Sequence, residues 1–325
     1  MPVSLSATLD KFKGKKILVI GDVMLDAYLW GSVDRISPEA PVPIVAIEKK
    51  EERLGGAANV ALNLKELGAV PLLCSVIGTD DAAKMFTGAL KRNQITDAGI
   101  ILSAKRITTV KTRVLSKSHQ LIRYDSETTT DLNADEEKKL VSAIAKLMDR
   151  EKPAAVIFED YNKGVLTGRV IDEVIRMAGE RKIFTAVDPK KKNFFAYKNV
   201  SLFKPNLREI REALHMEPVE LNLATLKNVH HELHQRLKNH ITLITLSEHG
   251  IYYSDGKNSG IIAAHKRDIA DVSGAGDTVI AVATLAIISG LSLKAAADIA
   301  NLAGGLVCEY AGVVPVTRQM LLQSA

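Results

Sequence analysis

The run Lys15 to Ile20 (KKILVI) is a short, nearly unbroken apolar stretch closed by Gly21 and Asp22, the pattern of a strand buried inside an α/β sheet. From Trp30 to Glu52 the pattern changes. Pro and β-branched residues alternate with charged ones, which predicts exposed strand outside the main sheet. Helical spacing takes over after Gly55 and Gly56, where AANVALNLKELGA sets Ala58, Leu62 and Leu67 near one face and stops at Gly68. A strand is predicted over Val70 to Ile77, a helix capped by Asp80 runs through Leu90, and Thr108 to Tyr124 returns to β-like alternation.

Beyond Asp131 the pattern is regular. Helices are predicted to Met148, over Arg169 to Ala178, Leu207 to Leu214 and Leu226 to Leu237. Between them lie strands at Ala154 to Phe158, Ile183 to Val187, Ser201 to Phe203 and Ile241 to Leu246, followed by an antiparallel pair around Ile251 to Ala264. Such alternation implies a mostly parallel sheet covered on both faces, a three-layer α/β/α sandwich. The expectation is one domain over 1–325 with a small β lid from about 27–53 and 105–125.

Composition narrows the class. With 325 residues, 46% apolar and 25% charged, the chain can bury a large core, as a globular enzyme does. The net charge of +5 has its clearest cluster at Lys190 to Lys192, without interleaved aromatics, so nucleic acid is not an expected partner. Cys74 and Cys308 lack CxxC spacing and read as reduced buried thiols, which suits the cytoplasm. No secretion signal is expected in MPVSLSATLDKFKGKK. The longest apolar stretch, Thr278 to Ile288, is too short to span a bilayer and predicts a buried helix, so no membrane partner is expected either.

The candidate chemistry centres on Asp271 to Thr278, DVSGAGDT, directly before that helix. Gly274 and Gly276 allow a sharp turn whose amides can converge on one anion at the helix's positive end. Asp277 then stands where a carboxylate could take a proton from an acceptor hydroxyl. A plain tight turn with an acidic first-turn residue has the same appearance. The third glycine of GxGxxG is absent and no GxxxxGK[ST] occurs, which excludes a Rossmann dinucleotide site and a P-loop.

Lys204 to Glu209, KPNLRE, opens a helix. Asn206 and Glu209 can form a capping box, or Glu209 can hold Mg²⁺ through water, and spacing alone favours the cap. Asp22, Asp26, Gly55, Gly56 and Asn59 suit a sugar-binding wall, though in isolation ordinary turn and cap chemistry is the favoured explanation. Lys111, Arg113 and Arg123 alternate along the second exposed segment, as a solvated face or as a clamp for a phosphate. HHELH, with His230, His231 and His234, lacks HExxH spacing and reads as surface helix.

Together these motifs resemble the ribokinase-like carbohydrate kinase family from about Ile17 to Val316, with DVSGAGDT similar to its C-terminal signature and GGAANVALNLKELGA to its N-terminal one. The resemblance implies ATP-dependent phosphorylation of a sugar hydroxyl. Asp277 would be the base, and the Gly274, Ala275 and Gly276 amides the anion hole. Asn206 and Glu209 would organise Mg²⁺ and ATP, with Ser247 and Gly250 bordering the nucleotide, Asn301 on the adenine side and a K⁺ ion at Asp271.

GDVMLDAYLWGSVDRISPEAPVPIV, ERLGGAANVA, TRVLSKSHQLIRYD and DYNKG are similar to the branch forming the kinase half of a bifunctional enzyme of lipopolysaccharide-core synthesis. That branch implies D-glycero-β-D-manno-heptose 7-phosphate as acceptor and its 1,7-bisphosphate as product. Asp22, Asp26, Gly55, Gly56, Asn59, Lys111, Arg113, Arg123, Asp160 and Lys163 become substrate-wall candidates. Leu54 and Glu159 depart from the branch, where a Pro and a smaller polar residue are expected. No HxGH motif occurs, so a separate nucleotidyltransferase is expected in the pathway. Val42, Ile44, Val45 and Ile47 on an exposed strand suggest a homodimer through the lid. Fructose, ribose or nucleoside kinases and a non-catalytic ligand-binding protein are the alternatives.

Overall fold

The computed structural model describes residues 5–116, 119–216 and 221–324. In chain order the N-terminal half holds α1 (Leu5–Asp10), β1 (Lys16–Gly21), β2 (Val23–Ile36), β3 (Pro43–Gly56), α2 (Ala57–Glu66), β4 (Val70–Ile77), α3 (Asp81–Arg92), β5 (Thr96–Leu102), β6 (Val110–Ser116) and β7 (His119–Ser126). There follow α4 (Ala134–Glu151), β8 (Ala155–Glu159), α5 (Gly168–Glu180), β9 (Phe184–Asp188), β10 (Leu202–Phe203), α6 (Leu207–Leu214), α7 (Leu223–Leu237), β11 (Ile241–Thr245), β12 (Ile251–Ser254), β13 (Ser259–Ile262), α8 (Ala275–Ile288), α9 (Leu293–Val307) and α10 (Arg318–Gln323).

Nine strands form one sheet in the order β13-β12-β11-β10-β9-β8-β1-β4-β5, parallel from β11 to β5 and antiparallel at β12 and β13. Both faces are covered because successive side chains of an unbroken apolar strand point opposite ways. In β1, Ile17 and Val19 join the core beneath α2, α8 and α9, whereas Leu18 and Ile20 join the core beneath α4, α5 and α7. The three-layer expectation from the sequence is what the fold has.

Helix α8 is buried from Asp277 to Ala286. A helix apolar all round must sit between other elements, and α8 packs against α2, α9 and the sheet. No helix among the described residues is long and apolar enough to cross a membrane.

The remaining four strands make a separate sheet in the order β3-β2-β6-β7. It begins at Val23, directly after the first core strand, earlier than the alternation starting at Trp30 suggests. That alternation resolves into two antiparallel strands, β2 and β3. The stretch Thr108 to Tyr124 likewise becomes β6 and β7; its residues 117 and 118 lie outside the described ones.

Several elements differ from expectation: helices α1 and α10 form where the sequence pattern predicts none, and β5 and α7 depart as follows. The edge strand β5 is unannounced, because only Gly99 in it is fully buried and its apolar residues divide between the two faces. On α7, His231 and His234 are exposed as expected, but His230 is buried, since its ring turns under the helix to meet Thr242 Oγ1 on β11 at 2.8 Å.

Candidate active site

Strand β1 pairs with both β4 and β8, which makes its carboxyl end the point where chain connections diverge, the usual ligand crevice of an open α/β sheet. Four adjacent strands place polar residues there. Asp22 follows β1, Glu159 ends β8, Asp188 ends β9 and Lys204 follows β10.

Asp277 enters this crevice from the first turn of α8. Gly274 caps that helix in the left-handed region, φ 81°. A β-carbon there would lie 2.8 Å from Asn59 Nδ2 and 3.2 Å from Val313 Cγ1, so conformation and space both require glycine. The Ala275 amide turns back to the Val272 carbonyl at 3.3 Å. The Gly276 and Asp277 amides belong to the first turn, which has no carbonyl of its own helix to receive them. A β-carbon on Gly276 would come within 3.3 Å of Asp188 Oδ2.

The Asp277 carboxylate is buried and held at both oxygens, by Asn59 Nδ2 at 2.8 Å and by the Tyr161 hydroxyl at 2.7 Å. Asn59 is steadied by Asn63, whose carbonyl oxygen accepts in turn from Thr278 Oγ1 and the Val316 amide. Burial pushes the Asp277 carboxyl up to about 6; the Asn59 and Tyr161 hydrogen bonds oppose it, Asp188 adds to it and Lys204 opposes it.

Carboxylate oxygens of Glu159, Asp188 and Asp277 lie within 4.8 Å of one another. Lys204 Nζ pairs with Asp188 at 2.8 Å, both nearly buried. Among the described residues neither oxygen of Glu159 has a hydrogen-bond partner, and burial, then Asp188 and Asp277, holds its carboxyl well above the usual range.

Asn206 and Glu209 form a complete capping box: Asn206 Oδ1 accepts the Glu209 amide at 2.8 Å and Glu209 Oε2 accepts the Asn206 amide at 2.9 Å. Glu209 Oε1 meets Lys190 Nζ at 2.5 Å, and that ammonium lies 3.8 Å from Asp188. Burial works against the Lys190 charge, but Asp188 and Glu209 outweigh it and raise its pKa. The cap and a role in the crevice are therefore compatible, which spacing alone left as alternatives.

Several other sequence candidates are committed to the protein itself. Asp22 accepts the amides of Tyr161, Lys163 and Val165 at 2.8 to 3.0 Å, so it fastens the loop after β8. Asp160 points to Tyr197, Asn193 and the Asn162 amide rather than to Asp277, and burial lifts it to about 6. Asp26 pairs with Arg113 at 2.5 Å beside Gly55; burial outweighs the guanidinium and raises the Asp26 carboxyl. Gly56, next to it, closes on the Asp22 carbonyl.

Lys111 meets Asp125 and Glu127, Lys163 meets Glu127, and Arg123 meets Asp125. These cations are balanced by carboxylates and do not form an open clamp. Asp271 accepts the amides of Ser273 and Gly312. Ser247 and Gly250 form the turn after β11, and Asn301 donates to the Ala263 carbonyl at 2.8 Å.

Sequence reasoning missed Tyr161, Asp188 and Lys190 as crevice residues and left Lys204 without a role. Asp188 carried a signal, a carboxylate at a strand end followed by Pro189, the same one that marked Asp22.

The chain is 40% identical over 294 residues to the bifunctional protein HldE of Helicobacter pylori strain HPAG1, which covers 90% of this chain and 62% of that relative. It thus spans less than two thirds of that relative's length. The phosphofructokinase-2 of Escherichia coli, solved in complex with potassium, superposes with a TM-score of 0.78 at 18% identity, covering 95% of this chain and 97% of that one. The ribokinase of Arabidopsis thaliana, complexed with ribose and ATP, gives 0.73 at 15% identity over 96% and 98%. These two share the ribokinase-like fold. The family model described as pfkB family carbohydrate kinase matches residues 14–319. The chain, almost end to end, belongs to the pfkB family of carbohydrate kinases.

Proposed function

We propose that the chain transfers the γ-phosphoryl group of ATP to the anomeric hydroxyl of D-glycero-β-D-manno-heptose 7-phosphate, with Asp277 as general base. The observation that carries the mechanism is the buried Asp277 carboxylate, oriented at both oxygens, beside the amides opening α8. Each oxygen keeps a lone pair for the acceptor's proton after accepting from Asn59 or Tyr161. A carboxyl raised to about 6 is a stronger base than an ordinary aspartate and still ionised at neutral pH.

As the hydroxyl attacks, Asp277 takes its proton, and the amides of Gly276 and its neighbours stabilise charge on the transferred group. Hydrogen bonds from Asn59 and Tyr161 then fix the base during transfer. Asp188 and Glu209 offer hard carboxylate oxygens, and Glu209 has both already engaged, a set that fits Mg²⁺ held through its water shell. When bound, Mg²⁺ would neutralise phosphate charge. Asp271 would take K⁺ only while keeping its bonds to Ser273 and Gly312.

The small sheet would act as a lid that excludes water. The heptose phosphate assignment rests on the likeness of the lid and DYNKG segments and on the HldE relatives. The acceptor's 7-phosphate would displace Asp125 and Glu127 from Lys111, Lys163 and Arg123. The exposed apolar residues at that sheet, Val42 just before β3, Ile47 in it, and Leu121 and Ile122 in β7, would pair two copies as a homodimer. A cytoplasmic setting completes the reading.

The test is Mg²⁺-dependent ATP turnover by wild type and Asp277→Asn, with heptose 7-phosphate, fructose, fructose 6-phosphate and ribose offered side by side. Selective use of the heptose phosphate, reduced at least about 10²-fold in the variant, is expected. Turnover of another sugar alone would retain the kinase and remove the heptose assignment.

A further inference from the structure

Arg106 stands in the turn between β5 and β6, just before the chain enters the second pair of strands of the small sheet, and its side chain is buried. A buried guanidinium is costly unless its donors are satisfied. Here they are spent on main chain: Nη1 donates to the Thr130 carbonyl at 2.8 Å and Nη2 to the Lys163 carbonyl. Asp22, Glu136 and Asp131 favour the charge through space, but burial outweighs them and holds the group below the ordinary arginine range. It stays protonated all the same, since arginine does not lose its proton in proteins.

The two carbonyls belong to segments with different duties. Thr130 lies where the chain leaves β7 and the small sheet. Lys163 lies in the loop after β8, whose Tyr161 hydroxyl holds Asp277. That loop is bent at two left-handed residues, Asn162 with φ 54° and Gly164 with φ 84°, a conformation that persists only when its surroundings impose it. At Gly164 the loop passes so close to the other segment that a β-carbon would lie 2.1 Å from the Thr130 oxygen. Asp22, from the main sheet, accepts the loop's amides at Tyr161, Lys163 and Val165. Arg106 takes the Lys163 carbonyl from the other direction, so Lys163 is held through both its amide and its carbonyl.

Arg106 is itself anchored at the root of the small sheet. Two residues on, the Thr108 amide donates to Asp80 at 2.8 Å, and the Thr109 carbonyl accepts the Leu25 amide of β2 at 2.9 Å. The geometry assigns Arg106 as a positioning residue for phosphoryl transfer: its fork staples the Tyr161 loop to the exit of the small sheet, so that Tyr161 meets Asp277 only while that sheet is seated. This rests on the kinase reading above, with Asp277 as base.

Arg106→Lys keeps the charge and loses the fork. With the sugar that the wild type uses, kcat should fall at least about tenfold, as misplacement of a reacting group causes. KM for ATP should be unchanged, and the acid limb of the kcat profile should move up, as in Tyr161→Phe. Combined with Tyr161→Phe, the loss should be no larger than that of Tyr161→Phe alone, because a residue acting through Tyr161 then has nothing left to act on. Losses that multiply, or a limb that stays in place, overturn the assignment. A readout without any sugar is amide hydrogen exchange: Tyr161, Lys163 and Val165 should exchange at least about tenfold faster in Arg106→Lys, with α8 unchanged. Equal exchange removes the staple. No turnover of any sugar by the wild type would instead remove the kinase reading, and exchange would still decide whether Arg106 holds the loop. If Arg106→Lys does not fold, the wild type decides: on adding the sugar, amides of β6 and of the Tyr161 loop should slow together, and slowing of β6 alone overturns the coupling.

Discussion

Tyr161 donates its phenolic hydrogen to Asp277 across 2.7 Å, from a loop whose amides are held by Asp22. Tyr161→Phe removes that donor and keeps the ring. A hydrogen bond to a charged group contributes about 1.5–3 kcal/mol, so the Asp277 carboxyl should rise by roughly one to two pH units. The acid limb of the kcat profile should move up accordingly, with KM for ATP unchanged. An unmoved limb would remove Tyr161 from the mechanism.

The wild-type profile follows from Asp277 itself. The base acts only when ionised, and burial sets its carboxyl at about 6. Rate should therefore be flat above that value and fall about tenfold per pH unit below it. Asp160 also lies at about 6 but faces Tyr197 and Asn193. Asp160→Asn should keep the limb; if the limb disappears, Asp160 is the titrating group.

Gly274→Ala places a β-carbon against Asn59 in a backbone region that alanine rarely adopts. Strain of this kind costs about 1–3 kcal/mol, and the displaced Asn59 loosens its hold on Asp277. A Tm several degrees lower and at least tenfold less turnover are expected; full activity would show that the turn tolerates a side chain.

Glu209→Gln keeps an oxygen for the Asn206 amide, so α6 should remain capped and stability nearly unchanged. What it loses is charge beside Lys190 and Asp188. The Mg²⁺ concentration for half-maximal turnover should rise several-fold. The same Mg²⁺ dependence as wild type, with intact folding, would leave the cap as the whole role of Glu209.

For the pairing of copies, Val42→Lys, just before β3, combined with Ile47→Lys within it introduces charge on two exposed apolar positions at the small sheet. Light scattering should report a dimer for wild type and half that mass for the double variant. A monomeric wild type would end the proposal.

The sequence made the glycine turn before α8 legible because glycine spacing and a following apolar helix are local signals, and α8 begins where they say. It also made Asn206 and Glu209 legible, since a capping box needs only four consecutive residues. The cluster of Glu159, Asp188 and Lys204 around Asp277 was not legible as a unit. Those residues come from the ends of β8, β9 and β10, and the sheet order that makes them neighbours leaves no mark in hydrophobic periodicity. His230 was misjudged for a related reason: the oxygen that draws it inward belongs to β11, outside the helical pattern read for α7.

Residues 311–313 belong to two structures at once. Arg53 grips the carbonyls of Ala311 and Val313, and the Tyr28 hydroxyl accepts the Val313 amide, so the small sheet is tied to this segment. Between those contacts, the Gly312 amide is one of the two that hold Asp271. Lifting β2 far enough to part Tyr28 from Val313 would drag Gly312 with it, and amide exchange at Ser273 and Gly312 should quicken together when the sugar leaves. The cradle for the transferred group would then come apart at the moment water enters, a built-in safeguard against idle hydrolysis of ATP.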